Sequence, residues 1–315
     1  MLIWLLKQRQ LSNPLKTRFY RVFVIRDKIS NMVRITDSIA RAVSITSRTN
    51  PLVVTLSKLD DTKFRRSEGL FLAEGIKLSE EAAGMPEIRY VLIRSDDGMA
   101  DERIVRVAAQ SPANAKVCVL STSAFDKIST EKSPQGIITV LAFPERIHHR
   151  IAGRMADEHL RELHGKRILA VDSVRDPGNL GTMIRTAAAF GYESVCLIGC
   201  ADVYHPKTVR AAMGALFRTK LYMGDSVSGV FEPLMADGHR VIAAALDEHA
   251  LTLGEDPLRE DDCIVIGNEG HGVSAETLAA ADAVMRIPMC ENTESLNAAG
   301  AAAAIMWEYF RTFHG

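Results

Sequence analysis

Little in this sequence points to disulfide, zinc or membrane chemistry. Only five cysteines occur in 315 residues (Cys118, Cys196, Cys200, Cys263 and Cys290), and none forms a CxxC pair. Most sit in apolar runs that read as strands, so buried free thiols in a reducing compartment are expected rather than metal or disulfide sites. Net charge is nearly absent too: 38 Lys and Arg against 39 Asp and Glu leave −1. That balance argues against wholesale coating of nucleic acid and leaves room for a local basic patch. The apolar opening MLIWLL is far too short to span a bilayer, and no clear small-residue cleavage site follows it. The fingerprint G-x-G-x-x-G is missing, which leaves a nicotinamide-cofactor site poorly supported.

What is present reads as an ordinary folded chain. Apolar residues make up 47% and charged residues 24%, and 315 residues suffice for two domains that each bury a core. Residues 1–50 stand apart, with ten Lys or Arg against two acids, Asp27 and Asp37. Such a basic leader fits an organelle-targeting segment, an RNA-binding arm, or an extension upstream of a start at Met32. It is expected to be disordered or targeting. Cytoplasmic residence is the expectation for the protein, with organelle targeting as the alternative.

From Pro51 the pattern becomes regular. LVVTL, GLFLAEGIKLSEEAAG, RYVLIR, RIVRVAAQ, KVCVLS and GIITVLAF interleave β-branched runs with amphipathic stretches. This implies an α/β layer structure over 51–143. Residues 144–166 are polar, rich in charge and histidine, and lack a strand run, so they read as a partly helical linker. A second α/β unit, 167–315, opens with RILAVDSV as a buried strand. SVCLIG, RVIAAAL, DCIVIGNEG and AVMRIPM read as further strands, with PGNLGTMIRTAAAFG, HPKTVRAAMGALFR and SLNAAGAAAAIMWEYFRTF as helices. Continuous apolar strands predict a parallel sheet covered on both faces, with its ligand site beyond the carboxyl ends of the strands. Three polar, glycine-bearing loops fall there, at 172–181, 267–274 and 288–297.

In the first loop Pro177-Gly178 makes a turn, and Asn179 is placed to cap the following helix. On that helix Gly181, Thr182, Arg185, Ala188 and Ala189 share a face, leaving the Arg185 guanidinium free to reach outward. In the second loop Asn268 and Glu269 occupy a glycine turn after an apolar strand, where glycine permits close approach of backbone to a ligand. Ser274 is the candidate cap of the next helix. In the third, Pro288 ends a strand and a helix begins near Ser295. The run Ala298–Ala304, broken only by Gly300, has almost no side-chain bulk and suits close packing against the preceding loops. An exposed helix arginine, a glycine turn and an alanine-rich helix are each common singly. Their order, spacing and contents together are not.

PGNLGTMIRTAAAFG, IVIGNEGHGVS and IPMCENTESLNAAG resemble the three motifs of the SpoU/TrmH family of RNA ribose 2′-O-methyltransferases. HPKTVRAAMGALFR is similar to the family's link between them, with Ala212 where serine is frequent. LSKLDDTKFRRSEGLFLAEGIKLSEEA is similar to the amino-terminal substrate-binding domain of large-subunit rRNA members, a fold related to RNA-binding ribosomal proteins. The resemblance covers residues 52–312. It implies a carboxyl-terminal α/β parallel-sheet domain tied in a deep trefoil knot, a rare exception to unknotted topology, and a homodimer formed through it. It also implies S-adenosylmethionine held in the knot largely by backbone groups, with Gly267, Ile287 and Leu296 at the matching positions.

Arg185 matches the position that the family assigns as general base. A guanidinium normally keeps its proton, so positioning of the hydroxyl and a phosphate with charge stabilisation is the favoured role. Asn179, Glu269, Ser295 and Asn297 match further polar positions, expected to hold the ribose, the neighbouring phosphate and the loop geometry. No metal is required. RNA selection falls to the first domain, where Lys58, Lys63, Arg65 and Arg66 cluster beside Phe64, fit for phosphate contact with one stacking surface. A solvated helix face is the plainer alternative for that cluster. The expected reaction is 2′-O-methylation of a ribose in large-subunit rRNA. A tRNA ribose, a base, or a non-catalytic RNA-binding role are the alternatives, the last disfavoured by the retained polar residues.

Overall fold

The computed structural model describes residues 42–96, 98–290 and 295–314; most of the basic leader lies outside them. Two sheets organise the chain. The first is built from β1 (Val43–Ile45), β2 (Leu70–Glu74), β3 (Ile88–Arg94), β4 (Lys116–Leu120) and β5 (Ile137–Ala142), in the order β1-β4-β3-β5-β2. β1, β4 and β3 run parallel, while β5 is antiparallel to β3 and β2. Five short helices cover it: α1 (Pro51–Leu56), α2 (Thr62–Glu68), α3 (Ile76–Ala82), α4 (Glu102–Gln110) and α5 (Thr122–Ile128). Because β1 pairs with β4, this unit begins before residue 51 and claims the end of the expected leader.

The second sheet has eight strands, all parallel: β6 (His148–Ile151), β7 (Ile168–Asp172), β8 (Ser194–Ile198), β9 (Lys220–Gly224), β10 (Val241–Ala244), β11 (Leu251–Thr252), β12 (Cys263–Ile266) and β13 (Ala283–Arg286). Their order is β11-β13-β10-β12-β7-β8-β9-β6. Every residue of β7, β8 and β12 is buried, as continuous apolar runs require of strands covered on both faces. The covering helices are α6 (Asp157–Leu163), α7 (Pro177–Ala189), α8 (Pro206–Ala212), α9 (Val227–Ala236), α10 (Ala275–Ala280) and α11 (Ala298–His314). α7 packs on α8 and α11. At Gly181 an added methyl would collide with the Thr208 carbonyl and the Ala211 side chain, so glycine sets how closely α7 and α8 approach. Residues 291–294, in the third of the polar loops, lie outside the described residues.

Two expectations need correction. The segment 144–166 is no linker: His148–Ile151 forms the edge strand β6, paired with β9, and α6 follows. Its polar appearance hides His148, which is buried between the Tyr204 hydroxyl at 2.8 Å and the Leu216 carbonyl at 3.0 Å. The cap of α7 is Asp176, whose carboxylate accepts from the Asn179 backbone N–H at 2.8 Å. Pro177 at the first helical position fixes that start, and it leaves the Asn179 side chain free for other work.

The two units are docked tightly. One continuous hydrophobic core runs from Phe71 and Ile93 of the first into Tyr204 and Leu216 of the second. Phe143 and Tyr204 stack with ring centroids 4.0 Å apart. Beside them Arg65 on α2 meets Asp202 at 2.7 Å, and Arg210 on α8 meets Glu131 at 2.6 Å.

Candidate active site

The carboxyl ends of β7 and β12 bring the first two loops together. Asn179 donates through Nδ2 to Glu269 Oε1 at 2.9 Å, and Asn297 donates to Asn179 Oδ1 at 3.3 Å. Glu269 also accepts from the backbone N–H groups of Arg175 at 3.4 Å and Asp176 at 3.3 Å. Partial burial pushes the Glu269 carboxyl upward, but the Asn179 amide and those backbone donors outweigh it and hold the group below its ordinary range. Three residues distant in sequence, each from a different loop, thus form one amide–carboxylate chain.

Asp172 and Asn268 anchor the second loop from beneath. Asp172 ends β7 and accepts from the Ser274 N–H at 2.8 Å and the Thr277 hydroxyl at 2.7 Å. These bonds lower its pKa against the upward push of burial. Asn268 donates to the Ser173 carbonyl at 2.9 Å and accepts from the Gly270 N–H at 2.9 Å. Ser274 caps α10, as its place in the sequence suggests. The last helix begins at Ala298, and Asn297 caps it by accepting from the Ala299 N–H at 2.9 Å.

Beside this cluster lies a cavity of about 450 Å³ that borders Gly267, Ile287, Ser295 and Leu296. At Gly267 an added methyl would collide with Gly272 and the Val273 nitrogen, so backbone itself makes the wall. Leu246, Leu278 and Leu296 are large apolar residues that stay exposed at 70%, 41% and 43%, and all three border this cavity. Apolar side chains held open to solvent around a backbone wall fit a ligand with a flat apolar part and a polar edge. An adjoining cavity of about 710 Å³ borders Ser173, Arg175, Asp176 and Glu269.

Gly267, Ile287, Leu296 and Ser295 therefore gather at one cavity, with Asn179, Glu269 and Asn297 beside it. Arg185 does not border either cavity; it is exposed on α7 and has no hydrogen bond or ion pair among the described residues. Lys58, Lys63 and Arg66 are exposed, and Lys58 lies over the Phe64 ring, 5.5 Å from its centroid. Arg65 is a correction: it is fully buried and cannot meet a phosphate. Its guanidinium donates to the carbonyls of Leu59 and Asp60, each at 2.7 Å, and to Asp202. Residues missed in the sequence include Asp172, Asp176, His271, and Ala245 and Leu246 in the loop just after β10. The carboxyl-end rule that singled out three loops also applies to that fourth one.

A parallel sheet with a backbone-walled apolar cavity and an amide–carboxylate chain at its carboxyl edge defines an α/β ligand-binding enzyme. Comparison with known proteins narrows the class. Residues 166–307 match the SpoU rRNA Methylase family, and residues 50–139 match the MRM3-like substrate binding domain. The chain is 34% identical over 264 residues to the 23S rRNA (guanosine(2553)-2′-O)-methyltransferase RlmP of Bacillus subtilis, covering 84% of this chain and 97% of that one. The AdoMet-bound rRNA methyltransferase from Sinorhizobium meliloti superposes with a TM-score of 0.72 at 27% identity, covering 87% of this chain and all of that one (100%). An RNA 2′-O ribose methyltransferase superposes with a TM-score of 0.69 at 28% identity, over 85% and 98% of the two chains. This chain belongs to the SpoU rRNA methylase family.

Proposed function

We propose that the protein transfers the methyl group of S-adenosylmethionine to a ribose 2′-hydroxyl of large-subunit ribosomal RNA. The convergence of Asn179, Glu269 and Asn297 beside the cavity of Gly267, Ile287, Ser295 and Leu296 carries this proposal. That cavity suits the cofactor, since apolar walls receive adenine and backbone groups around Gly267 meet its polar edge. When bound, S-adenosylmethionine supplies an electrophilic methyl carbon on a sulfonium sulfur. The protein then has to orient one hydroxyl against it and exclude water.

Leu246, Leu278 and Leu296 exclude water from the apolar part. Asn179 and Asn297 orient the ribose, and Glu269 holds the two loops in register through its three hydrogen bonds to loop and amide. Arg185, exposed and outside the cavities, engages an RNA phosphate next to the target and so positions the hydroxyl. Lys58, Lys63 and Arg66 contact the RNA backbone from the first domain. The Bacillus subtilis relative acts on a guanosine ribose of 23S rRNA, which supports ribosomal RNA over tRNA here.

A trefoil knot in the carboxyl-terminal unit and pairing of two copies through it belong to the same proposal. Half-exposed Trp307, stacked on Phe310 and near Phe190, supports a packing partner on that face. Residence in the cytoplasm accords with cysteines that are free.

The test uses the full chain, methyl-labelled S-adenosylmethionine, and large-subunit rRNA beside tRNA. Label should enter rRNA and protect one linkage from alkaline hydrolysis, and Arg185→Ala should abolish transfer while cofactor affinity persists. Label on a base, or no label in either RNA, would defeat the proposal.

A further inference from the structure

The carboxyl edge of the second sheet carries more than the candidate active site. On the side of β7 away from β12, a cavity of about 840 Å³ borders the ends of β8 and β9, the strand β6 and the helix α6. Arg66 and Gly69 of the first unit line it as well. No part of the methyl transfer described above uses this space. We infer that it takes one unpaired nucleotide of the RNA, a neighbour of the methylated one, stacking its base and bonding its amino edge. The inference rests on the RNA methyl-transfer function proposed above.

Backbone joins this cavity to the candidate active site. The Ser173 N–H donates to the Ile198 carbonyl at 2.8 Å, and the Ala201 N–H donates to the Val174 carbonyl at 2.8 Å. These bonds tie the loop after β8, which borders the cavity, to the loop after β7, which borders the space beside Glu269. β9 lies two strand spacings from β7, about 10 Å. Arg66, assigned above to the RNA backbone, stands in the same lining. A strand of RNA running from the first unit to Asn179 therefore passes along the cavity.

The lining suits a base and its phosphate together better than a bare anion. Arg66 and Arg150 are exposed and make no hydrogen bond or ion pair among the described residues. Three carboxylates, Glu145, Glu158 and Asp225, are exposed there too, and a fourth, Asp202, is already held by Arg65. Acids outnumber the free arginines, which disfavours a lone phosphate. A nucleotide uses both signs, its phosphate meeting an arginine and its exocyclic amino group donating to a carboxylate. Adenine, cytosine and guanine carry such a group, and uracil does not.

Flat surfaces complete the arrangement. Phe143, only partly buried, stacks on Tyr204, and the His149 and His159 rings lie 4.6 Å apart by their centroids. All four rings border the cavity. Splayed bases of single-stranded RNA are held by stacking on rings of this kind. His149 also keeps a buried Nε2 without a hydrogen-bond partner. A buried polar atom costs free energy until it is bonded, and the edge of a base bonds it.

The test uses the full chain and a transcript of large-subunit rRNA. Ultraviolet cross-linking followed by mass spectrometry should place a nucleotide adduct on the peptides holding Phe143, His149 or Tyr204. Arg150→Glu should raise the KM for the transcript about tenfold or more, with kcat, S-adenosylmethionine affinity and melting temperature nearly unchanged. Arg161→Glu makes the same charge change on α6, outside the cavity, and should leave KM near wild type. Poly(C) should compete with the transcript better than poly(U), and Glu158→Ala/Asp225→Ala should narrow that difference. Adducts that avoid these peptides, equal effects of Arg150→Glu and Arg161→Glu, or equal strengthening of both polymers in the double variant would overturn the nucleotide site. Adducts at these peptides in a wild-type protein that transfers no methyl group would defeat the proposed function and leave the nucleotide site standing.

Discussion

Arg65→Met separates a structural arginine from an RNA-binding one. The guanidinium is fully buried and makes five hydrogen bonds: to Leu59 O and Asp60 O at 2.7 Å each, to Thr62 at 2.8 Å, and to Asp202 at 2.7 and 3.1 Å. Methionine fills much of the volume and satisfies none of these groups. Leaving the Asp202 carboxylate uncompensated at 12% exposure costs about 3–5 kcal/mol. The two stranded carbonyls add on the order of 1 kcal/mol each unless water reaches them. Against a usual stability of about 5–15 kcal/mol, that is a large fraction. At roughly 2–4 °C per kcal/mol the melting temperature should fall by about 10 °C or more. Calorimetry and urea titration read the loss, and Arg65→Met/Asp202→Asn should recover part of it by removing the orphaned charge. In parallel, Lys63→Ala/Arg66→Ala should leave the melting temperature in place while lowering the salt slope of RNA binding by about 1.4, two contacts at roughly 0.7 each. If Arg65→Met keeps full stability and flattens the salt slope as that double variant does, the buried-anchor account of Arg65 is wrong.

Gly267→Ala forces a methyl into the backbone of Gly272 and Val273. Cofactor affinity by calorimetry should fall at least about tenfold, roughly 1.4 kcal/mol. Gly270→Ala, whose methyl would meet Asn268 Oδ1 at an ordinary 3.6 Å, should bind normally; equal loss in both would show general loop damage. The pKa of buried His148 is pushed down from 6.5 to about 3 by burial. The unfolded chain binds this proton first, so its contribution is complete above pH 6.5 and is lost as pH falls toward 3. Between pH 6.5 and pH 5 the loss should be about 2 kcal/mol in urea titrations. His148→Asn should show a shallower slope, and identical slopes would remove His148 as the cause.

The strands of the second unit are legible because β7, β8 and β12 are buried on both faces, leaving no polar residue to blur the run. β6 is not legible, because an edge strand needs only its inward residues apolar and here one of those is His148, kept neutral by burial. The carboxyl-end rule locates the loops that meet at the Asn179–Glu269–Asn297 chain, since strand direction alone decides where loops gather. It cannot say which loop residue turns inward. Asp176 and Asn179 both suit a cap, and Pro177 decides between them. Arg65 reads as one of four surface cations because its partner Asp202 lies 137 residues away in sequence. Long-range pairing of that kind leaves no local trace.

The docking of the two units turns the molecule into a fixed gauge. Only the stretch between Ala142 and His148 joins the sheets, and the stacked Phe143 and Tyr204 together with Arg65 and Asp202 lock them at a set offset. RNA gripped by Lys63 and Arg66 would then present to the cavity whichever nucleotide lies at that distance. Selection of the methylated residue becomes a matter of span as much as of base identity, and lengthening this joint would move the mark along the RNA.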